Sequence, residues 1–166
     1  QEGYGVTIFE RMQKIGGMLR YGIPDFRLPP STLDRYAEKL LTLGIHIRPN
    51  TTIGGAISVD DLFRDGYEAI FMGTGAWRAK SLGIHGETLG NCHFAVNYLQ
   101  NPDVYHLGDR VAVIGSGNSA MDVARTAIRK GSRYVTIYAR RNGISASERE
   151  LEYALMDGCE IQYAKG

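Results

Sequence analysis

Gly115-Ser116-Gly117-Asn118-Ser119-Ala120 has the spacing GxGxxA, and the chemistry such a spacing can do is the binding of a dinucleotide's phosphates. The first glycine allows a turn too tight for a side chain. The second leaves room for pyrophosphate against bare backbone, and a small third residue lets a helix pack closely on the strand before it. Amide groups at the start of that helix, and the positive end of its dipole, then favour the anion. Glycine accounts for 21 of the 166 residues, nearly twice the ~7% typical of soluble proteins, so the pattern alone discriminates poorly. Its setting gives it weight. Val111 to Ile114 form an apolar strand before it, and Ala120, Val123, Ala124, Ala127 and Ile128 follow at helical spacing. In such units an acid about 20 positions further on holds the ribose hydroxyls of NAD. Counted from Ala120, that position is Arg140, followed by Arg141, and the next acid is Glu148. Guanidinium groups match a 2′-phosphate through paired, charge-assisted bonds, so the sequence points to NADP(H). The competing readings are a turn that binds nothing and a basic pair that only meets solvent.

Other chemistries find little to work with. Cys92 and Cys159 are far apart, and no CxxC or thiolate cluster suggests zinc, iron–sulfur or a redox dithiol. They read as the reduced cysteines of a cytoplasmic protein. His46, His85, His93 and His106 form neither HxxxH nor HExxH, and no GxSxG elbow is present. No metal site and no catalytic side chain is assigned. A net charge of +1 with 22% charged residues creates no field for nucleic acid or an anionic membrane. No apolar run approaches the ~18 residues of a membrane span, and no signal peptide is visible. The expected location is the cytoplasm.

The elements that must position the phosphate-binding turn follow from periodicity. Gly5 to Glu10 reads as a strand ending in an acid, and the Gly- and Pro-rich stretch after it as irregular. Ser31 and Asp34 suggest a capping box for a helix over Leu33 to Leu43, stopped at Gly44. Ile45 and Ile47 suggest a strand, Val59 to Phe63 a short helix, and Glu68 to Met72 a strand leading into Gly73-Thr74-Gly75. After a loop-rich stretch with a helix near Phe94 to Leu99, a regular alternation begins. Its parts are a strand at Val111–Ile114, a helix at Asn118–Lys130 and a strand at Tyr134–Tyr138. A helix opened by Ser147 and Glu150 and a strand at Glu160–Tyr163 follow. Strands alternating with helices imply a parallel sheet with helical crossovers, an α/β fold of Rossmann type.

Several motifs in one order, GGMLRYGIPDFRLPP (16–30), GTGA (73–76), LGIHGE (82–87), GSGNSAMDVART and YARR, resemble the small subunit of NADPH-dependent glutamate synthase and its relatives. The resemblance covers nearly the whole chain. It places the sequence in the pyridine nucleotide-disulfide oxidoreductase superfamily, whose members have an FAD domain interrupted by an NADPH domain. It implies part of an FAD-binding domain over 1–78 and an NAD(P)-binding domain over 79–166. It also implies hydride transfer from NADPH to FAD, with electrons leaving toward an iron–sulfur domain or subunit. By the same resemblance Glu10 would bond the adenosine ribose of FAD. Gly17 and Met18 would lie along the flavin, Arg27 would contact FAD, and the backbone of Ile53 would meet the adenine end. Gly115 to Ala120 would cradle the NADPH pyrophosphate, with Arg140 and Arg141 on the 2′-phosphate. His85 stands where relatives usually have proline. The family's first strand and its FAD-gripping glycine motif are expected before residue 1, and its closing segments after residue 166. The chain is therefore expected to be an internal piece, inactive by itself and prone to self-association. The alternative is a non-enzymatic module that binds NADP(H) without turnover.

Overall fold

The structure, a computed structural model, describes residues 2–140 and 143–163. The chain divides into two compact units, one of residues 1–20 and 25–76, the other of residues 21–24 and 77–166.

In the first unit, β1 (Thr7–Phe9) pairs in parallel with β2 (His46–Arg48), Ile8 opposite Ile47. The stretch expected to be irregular contains a short helix, α1 (Gly17–Tyr21). Two left-handed glycines, Gly16 at φ +130° and Gly17 at φ +51°, bend the chain into it. The crossover helix α2 spans Pro30–Thr42 and starts earlier than the periodicity indicates. Pro30, in its first turn, has its φ preset for helix and lacks only an amide that would have no acceptor there. Ser31 thus lies inside the helix, no side chain caps it, and the expected Ser31–Asp34 box does not form. Asp34 instead accepts from Arg20 at 2.9 Å and Lys14 at 3.3 Å. Hydrogen bonding from Lys14, then from Arg20, holds its carboxyl below the usual range against a modest desolvation cost. Arg20 is nearly buried and also donates to the Ile15 carbonyl at 2.8 Å, which ties the glycine bend to α2.

The short helix α3 (Val59–Arg64) has a reciprocal cap that the sequence reading passed over. Ser58 Oγ accepts from the Asp61 amide, and Asp61 accepts from the Ser58 amide at 2.9 Å. Residues 68–72 are not a strand. A strand exists through its ladder, and among the described residues nothing pairs with this segment, where Phe71 is 95% exposed.

The second unit contains α4 (Ala95–Gln100), a 3₁₀ turn at Pro102–Val104, and then an unbroken alternation. Its members are β3 (Arg110–Ile114), α5 (Asn118–Arg129), β4 (Tyr134–Ala139), α6 (Glu148–Met156) and β5 (Glu160–Tyr163). All three strands are parallel in the order β3-β4-β5, with Val113 opposite Ile137 and Ile137 opposite Ile161. The expected α/β arrangement is present. Along β4, Val135, Ile137 and Ala139 are buried under the helices, while Tyr134 and Tyr138 point to the other, exposed face. Ala124 and Ala127 let α5 lie close to the sheet, and Met121 fills the space beside them. Complete burial of Met121 contributes about 2 kcal/mol.

α6 begins as expected, Ser147 Oγ accepting from the Glu150 amide at 3.4 Å. The reciprocal half of the box is absent because the Glu150 carboxylate is occupied by Arg125 of α5 at 3.2 Å. Arg125 also donates to Asp157 at 2.9 Å, and Arg129 reaches the same carboxylate at 3.0 Å. Burial acts to raise the Asp157 pKa, but hydrogen bonds from Arg125 and Arg129 outweigh it, and the net shift is downward. These bonds hold α5 and α6 side by side on one face of the sheet.

Candidate functional site

The end of β3 builds the turn. Gly115 has φ +143°, and a Cβ on it would meet the Ala120 Cβ at 3.5 Å. Its amide donates to the Tyr138 carbonyl at 3.0 Å, extending the β3–β4 ladder by one bond into the turn. Gly117 is the N-cap of α5 and has no side chain to offer, so the first amides of α5 lack an internal acceptor. Its carbonyl accepts from Ala120 at 2.9 Å and Met121 at 3.3 Å, starting the helix at once. Ala120 is buried against the strand, as a small third residue must be. Asn118 and Ser119 are exposed at the helix mouth.

A second loop completes the site. Ser145 and Ala146 donate their amides to the Ser116 carbonyl at 2.9 and 2.8 Å, and the Ser147 amide donates to Asn118 Oδ1 at 3.0 Å. Ser116 Oγ and Ser145 Oγ lie 3.2 Å apart. Between the turn after β3 and this loop after β4 is a cavity of about 340 Å³ lined by Ser116, Arg140, Gly143, Ile144 and Ser145. It sits at the carboxyl ends of parallel strands, where open α/β sheets bind their ligands. The structure thus brings Gly115 to Ala120 into one turn and puts Arg140, exposed at the end of β4, on the wall of the adjoining cavity. Arg141 lies outside the described residues. Sequence reasoning missed Gly143, Ile144 and Ser145. They belong to no spaced motif, and only the path of the loop back over Ser116 brings them in.

The residues assigned to the flavin side lie in the first unit. Glu10 follows β1, and its Oε1 accepts from the Met12 amide at 2.8 Å. Its backbone binds the loop after β2 through the Thr51 amide at 2.8 Å, and Ile53, two residues on, bridges to Ile57. The structure therefore draws the Glu10 and Ile53 stretches together. Gly17 opens α1, Met18 is exposed on it, and Arg27 is half-buried beyond it. A second cavity, of about 330 Å³ and lined by Arg48, Asp65, Gly66 and Tyr67, includes none of these five.

Cys159 is buried, and burial together with the nearby Asp157 pushes its thiol up to about 11. Such a group is a packing residue rather than a nucleophile. Cys92 is exposed, and no disulfide is formed. Among the described residues no group of three or more His, Cys, Asp or Glu could hold a metal ion, and no helix is long and apolar enough to cross a membrane.

Comparison with known proteins bears on the same arrangement. The chain is 32% identical to the glutamate synthase [NADPH] small chain of Escherichia coli, over 98% of this chain and 38% of that one. It is 41% identical to the β subunit of the NADP(+)-dependent formate dehydrogenase of Moorella thermoacetica, over 84% of this chain and 20% of that one. Its fold is that of Mycobacterium tuberculosis FprA in complex with NADPH, with a TM-score of 0.77 at 23% identity, over 95% of this chain and 42% of that one. The chain thus spans less than half the length of each. The model of one family, described as pyridine nucleotide-disulphide oxidoreductase, matches residues 40–160, from within α2 to the first residue of β5. By that match this α/β chain is a member of the pyridine nucleotide-disulphide oxidoreductase family.

Proposed function

We propose that the chain is the nucleotide-handling part of an NADPH-dependent flavoprotein oxidoreductase related to the glutamate synthase small subunit. The second unit binds NADPH, and the first contributes part of an FAD site. The observation that carries this reading is the turn at Gly115–Ala120, with its uncapped helix start and the Arg140 cavity at the carboxyl ends of β3 and β4. Pyrophosphate fits a turn whose backbone is bare at Gly115 and Gly117 and whose helix supplies amides without side-chain acceptors. The adenosine 2′-phosphate fits the cavity beside Arg140, and Arg141 follows in sequence as a second cation. On the flavin side, Glu10 is held by the Met12 amide through Oε1 at the end of a parallel strand, a place suited to ribose hydroxyls. The paired left-handed glycines 16 and 17 give the kind of side-chain-free backbone that a flat ring can approach.

When bound, the nicotinamide supplies a hydride and the flavin accepts it. In this reading the residues of this chain bind and orient those groups. Electrons are proposed to leave toward an iron–sulfur domain or subunit. In keeping with that, the named relatives are a small chain and a β subunit of larger enzymes. Arg140→Ala is expected to weaken NADPH binding about tenfold and to leave NADH binding within about twofold, as removal of one charge-assisted phosphate contact does. Fluorescence titration with both nucleotides tests this. Equal NADPH affinity in wild type and variant would remove the assignment.

A further inference from the structure

Arg140 is not the only group in its cavity able to bind a phosphate. Ser116 and Ser145 each present a hydroxyl there, 29 residues apart in sequence and 3.2 Å apart in space. A pair of hydroxyls shares one hydrogen bond, since one donates and the other accepts, so one of the two O–H donors remains to be used. A phosphate dianion is the ligand for which two neighbouring hydroxyls and a guanidinium make a coherent set, because it offers three acceptor oxygens and needs only donors. Among the described residues no acid lines the cavity to repel it.

The position of Ser145 is not an accident of a loose loop. Its own amide and that of Ala146 both donate to the Ser116 carbonyl, and the Ser147 amide is fixed by Asn118 Oδ1. The loop is therefore pinned to the pyrophosphate turn at three points, and the Ser145 side chain is the part left to face the cavity. An added Cβ at Gly117 would lie 3.7 Å from Ser145 Oγ, so the hydroxyl also stands beside the bare backbone of the turn.

We infer that Ser145, paired with Ser116, is a specificity-determining residue of the nucleotide site, donating its hydroxyl to the ribose 2′-phosphate alongside Arg140. The inference rests on the NADPH reading above and extends it to a residue outside the glycine motif and the arginine pair. In the free protein the two hydroxyls share one hydrogen bond. In the complex each turns to a phosphate oxygen, and the loop that carries Ser145 has no need to move.

The test uses 2′,5′-ADP and 5′-AMP, which differ only in the 2′-phosphate, titrated by calorimetry against the full chain and its Ser145→Ala, Ser145→Thr and Arg140→Ala variants. Ser145→Ala is expected to weaken 2′,5′-ADP about tenfold and to change 5′-AMP by less than about twofold, while Ser145→Thr keeps the wild-type preference. A Ser145→Ala variant that prefers 2′,5′-ADP as strongly as wild type would overturn the inference, with the NADPH reading intact. Equal weakening of both nucleotides would assign Ser145 to holding the loop and would overturn it as well. A wild type without preference for 2′,5′-ADP, and unaffected by Arg140→Ala, would remove the NADPH reading and this inference with it.

Discussion

Gly115 owes its identity to a backbone angle. At φ +143° any side chain is strained, and the space a Cβ would enter is bounded by Ala120 at 3.5 Å. Gly115→Ala is expected to cost about 1–2 kcal/mol in urea unfolding and to weaken NADPH through displacement of the turn. A variant with wild-type stability and affinity would show that the turn tolerates a side chain. Cys159 makes a contrasting prediction, since its buried thiol is pushed up to about 11 and presents almost no thiolate at neutral pH. Iodoacetamide at pH 7.5 should modify Cys92 and spare Cys159 until denaturant is added, as mass spectrometry of the peptides would show. Of these single residues, the glycines of the turn and the place of Arg140 at the end of β4 could be read from spacing alone, because a βα turn enforces a fixed register between strand, turn and helix. Ser145 could not. It reaches the cavity through amide bonds to Ser116 across a loop, and no periodicity encodes that return.

The helices on the sheet are joined by charge as well as by apolar contact. Arg125 is nearly buried and spans from Glu150 to Asp157, so its removal takes a guanidinium from Glu150 and leaves Asp157 with Arg129. Arg125→Ala is expected to lower stability by about 3 kcal/mol, measured by chemical denaturation, because breaking one side of a buried pair strands the other. The Asp157 pKa is lowered on folding, so its contribution is fully present above the ordinary carboxylate range, about pH 4. It is lost as pH falls through the lower folded value. Asp157→Asn should therefore be less stable than wild type at pH 7, and the gap should narrow as pH falls below the ordinary carboxylate range. A gap independent of pH would mean that the ion pairs contribute nothing. The same network explains one difference from expectation. Ser147 and Glu150 have the spacing of a capping box, but a buried arginine competes for the glutamate and takes it. At α2 the competitor was a proline, which set the start of the helix before Ser31 could cap it. Local rules named both helices correctly, and tertiary partners or backbone constraint decided how each begins.

Ile114 and Tyr134 are 65% and 60% exposed, and Tyr138 lies on the same uncovered face of β3 and β4, opposite the face that α5 and α6 bury. Parallel sheets are ordinarily covered on both sides. The chain alone is therefore expected to self-associate through this apolar face, and light scattering should give a mass above 18.3 kDa that rises with concentration. A Tyr134→Lys, Ile114→Lys variant should shift that mass toward the monomer. The segment 68–72 shows why pattern could not settle every strand. Its apolar residues suit a ladder, but a ladder needs a neighbour, and none is present among the described residues. In the second unit each strand has its partner within the same stretch of sequence, which is why periodicity succeeded there.

The stitching of the loop after β4 to the carbonyl of Ser116 has a further consequence. The groups proposed to distinguish one nicotinamide cofactor from the other all lie within a single helix–strand stretch, from Ser116 to Ser145. The proposed pyrophosphate cradle and Ser116 occupy the front of that stretch, and Arg140 and Ser145 its end. On that proposal, cofactor preference is a trait that substitution over 140–145 should rewrite while the sheet stays as it is. On this proposal a lineage could change its preferred nicotinamide cofactor within a few codons, leaving the rest of the sheet untouched.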